Sequence, residues 1–220
     1  MITYTPKIDT NTVALYQFKD RLTDDSGNGH TLIDNGTTPL GVVPSSTVSN
    51  WNAGVFTDAN YLIGSAGLQT ALSGQTEFLF ECYVYFNSLA NQPVITYHTQ
   101  NGLAWWIQGL SDTSIKMQWG GSIAASATSV ISTGTWYYVA GYMFSGSGTS
   151  KLWCSPADNI SQSTVATLNY NTSLGNNTSI GIGRYVPAGS FALNGYMKNA
   201  RYSTYSPSTV PTVDPRPQVN

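Results

Sequence analysis

Apolar and polar residues alternate with a period of two in short runs along this sequence, and clusters of Gly, Asn, Asp and Ser break the runs apart. That period sends successive side chains to opposite sides of an extended backbone, so each run reads as a strand with one face for a core. The pattern predicts strands over residues 14–18, 54–56, 78–87, 93–98, 103–109, 114–119, 136–144, 151–154, 179–184, 191–197 and 200–205. Residues 67–72 carry a helical hint, too short to shape the fold. Many short strands split by turn residues predict an all-β domain, two antiparallel sheets packed as a sandwich.

Parity assigns faces where neighbouring runs are long enough. Leu103, Trp105 and Ile107 share one side, as do Ile115, Met117 and Trp119, and these sets predict the core. Trp106 and Gln108 on one strand, with Lys116 and Gln118 on the next, then stand on a solvated sheet face.

Hydrophobic residues make up 41% of the 220 positions, enough for a large core, while only 9% are charged. About a quarter is usual. Ser, Thr, Asn and Gly fill the gap, giving a mostly neutral surface suited to contact with other protein copies or with sugars. The net charge of −2 comes without a basic run, which argues against nucleic acid as a partner. No apolar stretch reaches the roughly 18 residues of a membrane span, so membrane insertion is not expected. Residues 1–7 lack the charged-then-apolar order of a signal peptide, so synthesis in a cytosol is expected. In that setting Cys82 and Cys154 are expected to be buried reduced thiols.

The chain divides into an N-terminal arm (1–11), a domain (12–205) and a tail (206–220). Pro207, Pro211, Pro215 and Pro217 give the tail an extended, polyproline-like preference.

Three segments resemble the laminin-G-like branch of the concanavalin A-like lectin/glucanase superfamily. Residues 13–18 followed by Asp24-Asp25-Ser26-Gly27-Asn28-Gly29-His30 look like its opening strand and D-x-SGNGH turn. Phe80-Glu81-Cys82-Tyr83-Val84-Tyr85-Phe86 is similar to its F-x-W-V-x-F strand. Residues 135–140, Ile180-Gly181-Ile182-Gly183 and residues 191–202 resemble its closing part, which ends F-x-G-x-I-D-x-V-R-I-Y. The segments keep the family order over most of residues 12–207. The resemblance implies a jelly roll of two curved sheets that binds ligands on a concave face or at rim loops. It also raises a structural calcium at Asp24 and Asp25, although Lys198 and Asn199 stand where the family often has an acid. Plain turn chemistry accounts for the Asp24–Asp25 cluster without an ion, and no cofactor is expected.

Glucanase relatives carry E-x-D-x-E on one strand, whereas this chain reads Glu77-Phe78-Leu79-Phe80-Glu81. Leu79 replaces the carboxylate that would tune the pair, and strand spacing sets the two Glu α-carbons about 13 Å apart. Glu81 is expected near a turn or sheet edge, and Glu77 in the preceding loop. His30 and His98 lack the neighbours of a nucleophile–base pair. No catalytic residue is expected.

These features predict a non-enzymatic structural protein of a virus particle: a bacteriophage decoration, head-fibre or tail-associated protein with a lectin-like domain. Its expected partners are other virion proteins and copies of itself, with Tyr4, Pro6, Pro207, Pro211, Pro215 and Pro217 as assembly contacts. The alternative is a carbohydrate-binding or adhesion module of a bacterial surface or secreted system, extracellular or at the cell surface. Trp106, Gln108, Gln118, Asn101 and Tyr97 are the candidate sugar contacts, since aromatic faces stack on sugar rings and amides meet hydroxyls. Host-surface glycans would then be the ligands.

Overall fold

The computed structural model describes residues 8–19, 22–43, 52–99, 104–120, 122–125, 129–144, 149–159, 165–169, 177–185 and 191–204. In chain order these form β1 (Thr12–Tyr16), β2 (Leu32–Asp34), β3 (Gly41–Val43), β4 (Ala53–Phe56), β5 (Leu62–Gly64), α1 (Ala66–Leu72), β6 (Glu77–Phe86), β7 (Gln92–Thr99) and β8 (Ala104–Gly109). There follow β9 (Ile115–Trp119), β10 (Ser122–Ala125), β11 (Trp136–Phe144), β12 (Thr149–Pro156), β13 (Ala166–Asn169), β14 (Asn177–Ile182) and β15 (Gly195–Thr204).

They build two antiparallel sheets stacked as a jelly-roll sandwich. The first runs β13-β12-β11-β6-β15-β4-β3, and the second runs β10-β9-β8-β7-β14-β5-β2. One edge of β15 serves two strands: Gly195–Met197 pair with β4, and Ala200–Ser203 pair with β1. The chain's early and late strands therefore close the first sheet together.

Between the sheets lies the core that parity predicted from Trp105, Ile107, Ile115, Met117 and Trp119, while Leu103 lies outside the described residues. Trp105, Ile107, Ile115 and Met117 are fully buried and face Phe78, Phe80, Cys82 and Val84 of β6. The sheets approach closely at Gly141 of β11, where an added Cβ would come within 2.5 Å of Ile107 Cδ1 and 2.8 Å of Trp105 Cζ2. Only a residue without a side chain fits there.

Several elements differ from the pattern-based expectation. The predicted strands over 191–197 and 200–205 merge into one strand, β15, which begins only at Gly195 and is interrupted by an irregularity between Lys198 and Arg201 with Asn199 at φ 52°. A bulge adds a residue without ending the strand, and so breaks the alternation the sequence shows. Helix α1 matters more than its length suggests. Ser65 caps it by accepting from the Leu68 N–H at 3.3 Å, and it buries Leu68 and Leu72 completely. Its Leu72 carbonyl accepts the Tyr97 hydroxyl at 3.0 Å, tying helix to sheet.

Cys82 and Cys154 are free and buried. Both register with Val139, one from each side of β11. Two strand spacings separate them, about 10 Å, beyond the roughly 7 Å that a disulfide spans between α-carbons. The assembly contacts expected at Tyr4, Pro6, Pro207, Pro211, Pro215 and Pro217 lie outside the described residues.

Candidate functional site

Among the described residues, a site-like arrangement lies on the outer face of the second sheet. Trp106 and Gln108 alternate with the buried Trp105 and Ile107, so both point away from the core, but Gln108 is 6% exposed and lies buried under its neighbours on that face, not in solvent as expected. Gln108 pairs with Lys116 across one strand boundary and with Pro93 across the other. Trp106 sits in the adjacent row, between Thr96 and Gln118. Tyr185, just beyond β14, folds back over this face. Its ring meets Trp106 edge-on at 5.3 Å between centroids and His98 at 5.8 Å. The backbone is anchored there by the Thr96 hydroxyl, which donates to the Arg184 carbonyl at 3.2 Å.

Asn91, Pro93, Trp106, Gln108, Lys116, Tyr185 and Phe191 line the resulting open cleft, which has a volume of about 210 Å³. Phe191 is 43% exposed, an uncommon state for a large apolar ring and one that extends the aromatic wall. Burial holds the amines of Lys116 and the imidazole of His98 below their usual pKa values. The cleft thus offers ring faces, two side-chain amides and one ammonium, a set suited to hold a polar ring-shaped molecule.

No known family profile matches the sequence, and no curated protein matches it either. Solved structures do match. Domain 4 of AbnA, a GH43 extracellular arabinanase from Geobacillus stearothermophilus determined in complex with arabinotriose, is 15% identical with a TM-score of 0.61, covering 90% of this chain and 95% of that one. The receptor binding domain of botulinum neurotoxin mosaic serotype C/D is 13% identical with a TM-score of 0.63, covering 91% of this chain and 49% of that one. A structure of botulinum neurotoxin type C, a toxin whose cell entry depends on interaction with two ganglioside molecules, is 14% identical with a TM-score of 0.62. The chain spans about half the length of the toxin chains it matches, 49% in both cases. This chain has a two-sheet antiparallel β-sandwich fold. At these identities the likeness is one of fold.

Within the sandwich, the expected sugar contacts separate. Trp106 and Gln108 meet in the cleft. Gln118 shares their face, but its amide donates to the Gly120 carbonyl at 3.1 Å. Asn101 lies outside the described residues. Tyr97 is turned the other way: fully buried, it packs on Phe78 at 5.0 Å. The cause is a bulge between Pro93 and Ile95, which shifts parity by one and sends Tyr97 inward. Tyr185, Phe191 and Asn91 were not singled out from the sequence. Tyr185 and Asn91 arrive from connecting segments, where strand parity carries no signal, and Phe191, read as the start of a strand, precedes β15.

Asp24 and Asp25 serve the opening turn. Asp24 accepts backbone N–H groups from Leu15 at 3.0 Å, Ser26 at 2.8 Å and His30 at 2.9 Å, using both carboxylate oxygens. Burial works against its charge, but the hydrogen bonds from Ser26, Leu15 and His30 outweigh it and hold the carboxyl below its usual pKa. Asp25 accepts from the Gln17 N–H at 3.1 Å and meets Lys19 at 3.5 Å. A cation would have to displace these donors. Among the described residues no group of three His, Cys, Asp or Glu stands close enough to hold a metal.

The two glutamates are neither in a loop nor at an edge. Both lie on β6, which has β11 on one side and β15 on the other. Glu81 forms a buried ion pair with Arg201 at 2.6 Å and accepts the Tyr138 hydroxyl at 2.8 Å. Burial pushes its carboxyl above the usual pKa, against the pull of Arg201 and Tyr138. Glu77 accepts the Tyr142 hydroxyl. Neighbouring strands supply these partners, which is why acids persist mid-strand.

Proposed function

We propose that this protein is a non-enzymatic carbohydrate-binding module, and that it is displayed on the exterior of a bacteriophage particle as a decoration, head-fibre or tail-associated protein. One observation carries the binding role: the Trp106–Tyr185 pair beside Gln108, Asn91 and Lys116, in a cleft open to solvent. Aromatic surface covers the apolar face of a sugar, while amides exchange hydrogen bonds with its hydroxyls. The arabinotriose bound to the arabinanase domain and the gangliosides named for the toxin lend support by analogy of fold. Against catalysis stands the engagement of Glu81 and Glu77 with Arg201, Tyr138 and Tyr142, which leaves no free acid–nucleophile couple among them.

The virion setting draws on composition, since 9% charged residues leave a neutral surface that desolvates readily against other copies. Other virion proteins, copies of itself and host glycans are its partners in this reading. A glycan array probed with the full chain tests the binding role, and Trp106→Ala should abolish the signal without changing the thermal unfolding midpoint by more than a few degrees. Deleting residues 207–220 tests the setting: particles should lose the protein while the domain remains folded. Recovery with bacterial envelopes instead of particles would favour a surface adhesion module.

A further inference from the structure

We infer that the cleft beside Trp106 takes a saccharide bearing a carboxylate, a uronic or sialic acid residue, with the Lys116 ammonium as its counter-charge. The inference rests on the carbohydrate-binding reading above and names its ligand class. Of the other described basic residues, Lys151 lies on β12 in the other sheet and does not line the cleft, and four are already engaged. Lys19 meets Asp25 at 3.5 Å, Arg201 meets Glu81 at 2.6 Å, Arg184 lies over Tyr61 at 4.7 Å and Lys198 over Trp136 at 4.2 Å. Lys116 instead lines the cleft, and no carboxylate among the described residues pairs with it.

The segments that flank these strands cannot supply an acid either. Residues 100–103, 121, 126–128 and 186–190 contain neither Asp nor Glu. Asp112, in the turn before β9, is occupied by the Ser114 N–H at 3.0 Å and the Ser114 hydroxyl at 2.6 Å. Burial already depresses the Lys116 pKa, as happens when an ammonium loses water without gaining an anion. A neutral sugar would leave this half-buried cation facing hydroxyls, whereas a carboxylate would complete a charge-assisted hydrogen bond.

Position agrees with charge. Gln108 lies directly across from Lys116, and Trp106 is the diagonal neighbour on the same face. Diagonal neighbours in an antiparallel pair lie about 7 Å apart, within the span of one sugar ring and its carboxylate. Indole and ammonium would hold the two ends, with the Gln108 amide between them.

The test is an array carrying neutral, uronic-acid-containing and sialylated glycans, followed by calorimetric titration of 3′-sialyllactose against lactose and methyl glucuronide against methyl glucoside. The acidic member of at least one pair should bind about 10-fold tighter and weaken with added salt. Lys116→Gln should remove that preference, Lys116→Arg should keep it, and the preferred pair identifies the acid. Equal binding of acidic and neutral members, or a preference unchanged in Lys116→Gln, overturns this inference and leaves the carbohydrate reading standing. No glycan bound at all, or acidic binding untouched by Trp106→Ala, overturns both.

Discussion

The ring of Tyr185 stands edge-on to Trp106, with centroids 5.3 Å apart and planes at 77°. A perpendicular pair covers less ring face than a stack would, so aromatic surface remains for a ligand while the indole is held in one orientation. Tyr185→Ala should therefore weaken glycan binding less than Trp106→Ala does. A double-mutant cycle on unfolding free energy should give a coupling of about 0.5–1.5 kcal/mol between the rings.

Asp24 gathers three backbone N–H groups from Leu15, Ser26 and His30. Asp24→Ala should strand those donors and cost about 3 kcal/mol or more in urea unfolding. The sign with pH follows from a carboxyl held below its usual value. Its stabilisation is complete above the unfolded pKa of about 4 and drains away as pH falls through the lower folded value. Stability curves of wild type and Asp24→Ala should therefore converge in acid and stand apart at neutral pH.

Arg201 and Glu81 form their pair in a buried setting. Removing one partner leaves an uncompensated charge, so Arg201→Met alone should cost about 3–5 kcal/mol. Adding Glu81→Gln should return part of that loss, because the orphaned carboxylate is gone. Guanidinium unfolding of the two single variants and the double variant reads this directly.

Gly183 has φ +75°, and a Cβ there would sit 2.3 Å from Phe56 Cδ1. Gly183→Ala combines backbone strain with a clash against a core ring. We expect a loss of about 2–5 kcal/mol, visible as a lower midpoint in thermal unfolding.

Cys82 and Cys154 should both be titrated by a thiol reagent in denaturant and remain unreactive in the native protein. Burial pushes the Cys154 thiol up to about 12 and raises that of Cys82 as well. Only the thiolate reacts. Fast labelling of either cysteine under native conditions would contradict their place beside Val139.

Trp106, Gln108 and Lys116 were legible as one outward face because alternation is a local rule, set by the geometry of each extended residue. The same rule marked Trp105, Ile107 and Met117 for the core, and the Asp/Ser/Gly/Asn run around Asp24 announced its turn. What alternation cannot report is an added residue. The bulge after Pro93 reversed the parity of Tyr97, and the one at Asn199 made a single strand read as two. Nor can it say which strand will be central, so Glu81 took its meaning only when β15 laid Arg201 beside it. Tyr185 reached Trp106 from nearly eighty residues away along the chain, a meeting decided by sheet order. Local backbone geometry is written residue by residue, whereas partners across strands depend on free energies summed over the whole sandwich.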